Sequence, residues 1–394
     1  MTRNQATLHH NYPKPETSLM ATEIEKGLEG VVIAKSAITY IDGTQGILRY
    51  RGIDINELAE KSNFEETTYL LWNGQLPNKT QLSQFRKELT ANRPLPPEVL
   101  KLLKGVPKGA IPMEVARTAI SYMSTFPRKK EESFDRFNRR RSLQLTATLA
   151  TIVSSYERVR KGKTPIRPDT QLGHAGNFLY GLWGKKPDEK SVKAFDAMSI
   201  LYADHEMNAS TFAAVVAIST LADLGGAVTS AIATLAGPLH GGSNQRVMEM
   251  LEEIGSLDQV EQYIDRELGA GRRIMGFGHR IYRTYDPRAR ILKRIAQTLT
   301  REGGTTKWLE IAEQVEADVM DKKKLWPNIE FYAAVVLNAL RVPTDMMPAV
   351  FACNRISGWI AHIYEQYADN RLIRPLTEYV GPAQVPYVPI EQRV

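Results

Sequence analysis

The chain has 394 residues, 43% hydrophobic and 24% charged, with a formal net charge of +7 from 51 Lys and Arg against 44 Asp and Glu. Such a composition excludes global disorder, and its small positive excess suits polyanionic small molecules without calling for nucleic acid. The single cysteine, Cys353, excludes an intramolecular disulfide and a thiolate metal cluster, and reads as a core residue of a reduced, cytoplasmic chain.

Residues 1–26 carry Glu16, Glu23 and Glu25 and lack an apolar run, so they read as a flexible tail rather than a secretory signal. Residues 37–41 and 46–50 alternate around Asp42-Gly43, which predicts a β-hairpin. Apolar residues at mixed three- and four-residue spacings predict helices over 57–61, 66–71, 81–89 and 192–203, with Asn78 and Ser83 as starts. Residues 211–237 hold one charge, Asp223, within Ala, Val, Ser and Thr. They read as two close-packed core helices, 209–221 capped by Asn208 and 227–236, rather than a membrane span. Further helices are expected over 243–254, after Asp286-Pro287, over 329–340 with Asn328 as cap, and over 345–367. The proline-bearing segment 379–394 reads as an extended arm. Without a βαβ rhythm or an internal repeat, the fold class is mainly α with a small N-terminal β-hairpin.

Walker A, Gly-x-Gly-x-x-Gly and His-Glu-x-x-His motifs are absent. Three histidines instead stand beside structural punctuation. His205 lies in Asp204-His205-Glu206, His240 in Gly237-Pro238-Leu239-His240-Gly241-Gly242, and His279 after Gly276-Phe277-Gly278. Each alone reads as a capping or core histidine rather than a ligand. Together, beside glycines that let backbone approach a ligand, they point to a site. Arg288 sits in the first turn of its helix, where a cation opposes the helix dipole, so it reads as an anion ligand or a solvated side chain. Arg355 lies within an apolar helix, where an unpaired charge is costly, so it reads as an anion ligand or as an ion-pair partner of Glu365 or Asp345.

In this order and spacing the motifs resemble those of the citrate synthase family. The resemblance runs from about residue 26 to 393 and includes Gly27-Leu28-Glu29-Gly30, Tyr40-Ile41-Asp42-Gly43 and Asp286-Pro287-Arg288. It implies a two-domain helical fold, with a large dimerisation domain of residues 27–241 and 345–394 and a small domain of 242–344 on the CoA side of a cleft. It implies a tricarboxylic acid cycle enzyme that condenses acetyl-CoA with oxaloacetate and hydrolyses citryl-CoA. No metal or other cofactor, nucleic acid or membrane is expected.

By resemblance, His240 donates to the thioester oxygen and His279 to the ketone oxygen. His205, Arg288, Arg355 and Arg374 bind the oxaloacetate carboxylates. Arg374 is expected to serve the partner's site, which implies a homodimer with shared active sites. Arg272, Arg273, Gly276, Phe277, Gly278 and Arg283 are the CoA candidates. Lys322, Lys323 and Lys324 could meet phosphates or form a solvated loop, and Arg139-Arg140-Arg141 is assigned to the surface.

The family's usual Pro-Asn-x-Asp-Phe-Tyr motif is here Pro327-Asn328-Ile329-Glu330-Phe331-Tyr332. Glu330 keeps the carboxylate of the catalytic base but extends it by one methylene. It reads as the base on an adjusted backbone, as a sign of another acyl-CoA, as impairment, or simply as an acid suited to a helix N-terminus. The alternatives are therefore a 2-methylcitrate synthase using propionyl-CoA and a catalytically weak acyl-CoA- and oxaloacetate-binding relative.

Overall fold

A computed structural model describes residues 24–127, 132–303 and 306–393 of the chain. Most of the expected N-terminal tail, residues 1–23, lies outside them. The chain divides into two compact units, one of residues 1–35 and 373–394 and the other of residues 36–372.

The described part of the first unit holds one 3-10 turn at Lys26–Leu28 and another at Ile390–Gln392, with the proline-bearing segment otherwise free of helix and strand. The Tyr379 hydroxyl donates to the Pro382 carbonyl at 3.0 Å.

The second unit begins with antiparallel strands β1 (Thr39–Asp42), β2 (Ile47–Tyr50) and β3 (Ile53–Asp54). The hairpin lies where Asp42-Gly43 places its turn; the two-residue third strand was not expected. Sixteen helices follow among the described residues. They are α1 (Ile55–Lys61), α2 (Phe64–Asn73), α3 (Lys79–Asn92), α4 (Pro97–Gly105), α5 (Pro112–Ser124), α6 (Phe134–Arg160), α7 (His174–Trp183) and α8 (Glu189–Tyr202). They continue as α9 (Ala209–Ser219), α10 (Leu224–Leu235), α11 (Ser243–Ile254), α12 (Val260–Gly269), α13 (Pro287–Gly303), α14 (Lys307–Lys323), α15 (Ile329–Ala339) and α16 (Met347–Ala368). The fold is therefore mainly α.

Local chemistry sets several of these boundaries. Asn78 and Gln81 form a reciprocal capping box that starts α3, so Ser83 lies inside the helix rather than at its start. Asn208 accepts from the Thr211 N–H and opens α9 as expected, whereas Asp223 accepts from the Gly226 N–H and starts α10 at Leu224, three residues before the expected 227. Those helices, α9 and α10, pack against each other and against α16. Nearly all of α16 is buried from Met347 to Ile363, with Trp359 fully enclosed.

Asn328 occupies the N-cap position of α15 but makes no cap bond. Its amide donates to the Gly278 carbonyl at 3.1 Å, and the Ile329 N–H is taken instead by Asp286 at 3.2 Å. Arg141 corrects the surface assignment of the 139–141 cluster. It is buried, and its guanidinium donates to the Met123 and Phe126 carbonyls at 2.7 and 2.6 Å. Arg139 lies over the Trp72 and Phe85 rings, and Arg140 is paired with Glu132.

Candidate active site

The small sheet and α16 together hold the 203–206 segment. Thr39, on β1, donates to the Asp204 carboxylate, and the Tyr50 hydroxyl at the end of β2 donates to the Asp204 carbonyl at 2.8 Å. From α16, His362 Nε2 lies 3.2 Å from the carboxylate, and the Gly358 N–H donates to the Ala203 carbonyl at 3.0 Å. Burial alone would raise the Asp204 pKa, but His362, Thr39 and Arg355 hold it below its ordinary value. Glu206 turns the chain in the left-handed region at φ 54° and donates its N–H back to Asp204 at 3.1 Å. The turn leaves His205 buried.

Gly358 is required at this contact. A Cβ there would stand 2.3 Å from the Ala203 carbonyl oxygen and 2.4 Å from Asp204 Oδ1. Backbone cannot retreat as a flexible side chain can. Gly358→Ala is expected to destabilise the fold by about 1–3 kcal/mol, the usual cost of overpacking a tight core. Urea unfolding checks this; an unchanged midpoint would mean that α16 shifts freely.

His240 lies between α10 and α11, where Gly237-Pro238 ends one helix and Ser243 begins the next. Its Nε2 is 3.2 Å from the Ser210 N–H at the start of α9 and 2.9 Å from the Ser210 hydroxyl, which Trp359 also contacts at 3.1 Å. An N–H can only donate, so Nε2 accepts from it and the ring proton resides on Nδ1. Burial and the neighbouring Arg355 lower its pKa to about 4, so the ring is neutral at pH 7.

His279 is held in the opposite tautomer. Its Nδ1 accepts from the Ile281 and Tyr282 N–H groups at 3.0 and 3.1 Å, leaving the proton on Nε2. Burial and Arg288 lower this pKa to about 4 as well. The 276–278 loop is pinned to the segment before α15. The Asn328 N–H donates to the Gly276 carbonyl at 2.8 Å, and the Gly278 N–H to the Trp326 carbonyl at 3.0 Å. Gly276 has φ 81°, and a Cβ on it would meet Phe331 at 2.7 Å, so the position needs glycine on both counts. On the other side, the hairpin turn braces residues 281–285, with the Arg283 N–H donating to the Gly43 carbonyl at 2.8 Å.

Arg288 is not solvated. It is 2% exposed and locked to Asp286, with Nη2 to Oδ2 at 2.8 Å and Nε to Oδ1 at 3.0 Å. Despite burial, Asp286 holds its pKa above the ordinary value. The same Asp286 carboxylate receives the N–H groups of Arg288 on α13 and Ile329 on α15, tying both helix starts together. Glu330, one residue on, is half-buried. Burial raises its pKa, opposed by Arg288 and Arg355.

Arg355 is also 2% exposed, and neither expected ion pair forms: Asp345 pairs with Arg160, and Glu365 accepts from the Ala37 N–H. Its Nε donates to the Tyr202 carbonyl at 2.6 Å, and its guanidinium lies 4.7 Å from the Phe351 ring centre. Burial lowers its pKa, with Asp204 opposing.

These groups converge. The His205 and His279 rings meet edge to face at 5.3 Å, and the Tyr282 ring lies 4.7 Å from His279. Burial, Arg288, His279 and Arg355 push the His205 pKa far down, so it too is neutral. The structure thus brings together neutral imidazoles, two buried guanidiniums and a carboxylate, an arrangement suited to binding a small dianion beside a proton acceptor.

Sequence reasoning passed over two members. Asp286 stands in the sequence as a helix start and as part of the Asp286-Pro287-Arg288 motif with no role of its own, although the Asp-x-Arg spacing permits its pairing with Arg288. Tyr282 gave no signal beyond its place between His279 and Arg288.

The remaining candidates divide. Arg272 is exposed and bound in a fork to Glu267, with both contacts at 2.6 Å. Arg273 and Arg283 are exposed and form no ion pair among the described residues. Phe277 packs on Phe331 with ring centres 4.7 Å apart. Lys322 is paired with Asp265, and Lys324 lies 3.7 Å from Asp321. Arg374 is exposed in the first unit. Among the described residues, no group of three or more His, Cys, Asp or Glu is placed to hold a metal. No helix there is long and apolar enough to cross a membrane.

Comparison with known proteins places the chain among the condensing acyltransferases. The family model described as citrate synthase, C-terminal domain, matches residues 27–376. The chain is 43% identical to citrate synthase 2 of Bacillus subtilis, over 93% of this chain and 99% of that one. It is 38% identical to the 2-methylcitrate synthase of Mycobacterium tuberculosis, over 92% of each. Among solved structures it resembles the ternary complex of carboxymethyl coenzyme A and oxaloacetate with citrate synthase from Thermoplasma acidophilum. That match has a TM-score of 0.89, 34% identity, and coverage of 94% of this chain and all of that one. The chain belongs to the citrate synthase family.

Proposed function

We propose that the protein condenses acetyl-CoA with oxaloacetate and hydrolyses the resulting citryl-CoA to citrate and CoA. The carrying observation is the pair of neutral imidazoles fixed in opposite tautomers, His240 protonated on Nδ1 and His279 on Nε2, in a unit that also holds Glu330, Arg288 and Arg355.

In this reading Glu330 takes a proton from the acetyl methyl group, and His240 Nδ1–H stabilises the charge that develops on the thioester oxygen. The carbon nucleophile attacks the ketone carbon of oxaloacetate, forming the new C–C bond as the C=O π bond opens, while His279 Nε2–H polarises the ketone oxygen and stabilises the alkoxide, whose protonation is balanced by the proton that Glu330 removed. Water then cleaves the thioester, releasing CoA and a carboxylate. Arg288, Arg355 and His205 orient the dianion. Burial raises the Glu330 pKa, which makes its carboxylate a better proton acceptor than an ordinary one. No metal or added cofactor enters these steps.

The reading extends to a cytoplasmic homodimer in which Arg374 completes the partner's site. Residues 242–344 then form a small domain that closes on CoA, with Arg272, Arg273, Gly276, Phe277, Gly278 and Arg283 near its entrance. The 2-methylcitrate synthase relative favours a second reading, in which propionyl-CoA is the acyl donor; one methylene changes selectivity by only about 1–3 kcal/mol. The test is CoA-thiol release from purified protein with oxaloacetate, with acetyl-CoA and propionyl-CoA run in parallel. Release with acetyl-CoA supports the proposal, and faster release with propionyl-CoA selects the second reading. No release with either from folded protein defeats both.

A further inference from the structure

We propose that Tyr282 is a further binding residue of the dianion site, its buried hydroxyl donating a hydrogen bond to a carboxylate of the bound oxo-dicarboxylate. The inference rests on the oxaloacetate reading above and adds a ligand to it.

Tyr282 is 4% exposed, yet its hydroxyl has no hydrogen-bond partner among the described residues. A hydroxyl withdrawn from water without a partner costs stability, and phenylalanine would fill the same space without that cost. Its surroundings supply a reason to keep it. The ring lies 4.7 Å from His279 and 5.7 Å from His205, and the Arg288 guanidinium stands 5.9 Å from its centre. All three neighbours belong to the set that would hold the dianion. His205 Nε2 is likewise buried and unpartnered, so two orphaned polar atoms belong to rings in mutual contact. Burial raises the phenol pKa, more than offsetting Arg288, so the hydroxyl keeps its proton and can donate. A phenol donor beside the Arg288 guanidinium suits a carboxylate, which has lone pairs to spare after accepting from arginine.

Tyr282→Phe removes only the hydroxyl. Calorimetric titration with oxaloacetate is expected to show affinity reduced by roughly tenfold or more, the loss of one hydrogen bond to a charged acceptor. The ligand-free melting temperature should stay the same or rise, and the KM for acetyl-CoA should not move. Equal affinity in wild type and variant overturns the assignment. So does weaker binding accompanied by a lowered ligand-free melting temperature, since the hydroxyl would then be structural. A wild-type protein that binds no oxaloacetate refutes the proposed function and this assignment together, which separates the two failures.

Discussion

Replacing Glu330 with Gln is expected to lower turnover by about 10²–10⁴-fold while leaving oxaloacetate affinity nearly unchanged. The substitution keeps the side chain's length and hydrogen-bonding outline but cannot accept a proton. Glu330 sits in the first turn of α15, so loss of its charge also removes a favourable dipole interaction of a few tenths of a kcal/mol, too little to unfold the helix. The start of α15 is held independently by Asp286 and by the pairing of Asn328 with the 276–278 loop. The variant should therefore fold and bind. Steady-state CoA release, with calorimetry for the ligand, measures the two effects separately. Wild-type turnover in Glu330→Gln would place the base elsewhere and leave Glu330 as a helix-start acid.

Arg355→Ala should weaken oxaloacetate binding by roughly 10- to 150-fold, the equivalent of about 1.5–3 kcal/mol for one charged hydrogen-bonding group. Arg355 carries its charge inside an apolar helix without a direct ion pair, and its Nε is the only part of the guanidinium given a protein acceptor among the described residues. A second anion would neutralise it. The KM for oxaloacetate and a direct titration both report the loss. Unchanged affinity would reduce Arg355 to a support for the Tyr202 carbonyl and a counter-charge for Asp204.

Elements marked by local chemistry were legible in the sequence. Asp42-Gly43 gave away the hairpin, Asn208 and the Gly-Pro at 237–238 bounded their helices, and glycines stood beside His240 and His279, while His205 lay between two acids. Long-range bonding was not legible. Asn328 has the chemistry of a cap, but the 276–278 loop claims its amide and Asp286 claims the helix N–H, from a position 43 residues earlier. Arg141 sits in a triplet of arginines that reads as surface, and only the fold shows two backbone carbonyls waiting for it. The long helix α6 was not singled out because it is buried over much of its circumference, which blurs a one-sided apolar stripe. Arg288 and Arg355 were recognisable as unusual, but which would find an internal counter-ion depended on the fold: Asp286 is two residues from Arg288, whereas Glu365 and Asp345 are turned to other partners.

The Asp286 junction bears on motion. Its carboxylate grips the Arg288 guanidinium and the first N–H groups of two helices, so the arginine that would hold substrate and the acid that would deprotonate the second substrate share one mechanical mount. Any opening of the site that leaves this junction intact must carry both residues through the same displacement, and substrate drawn in by the arginine would pull the acid along with it.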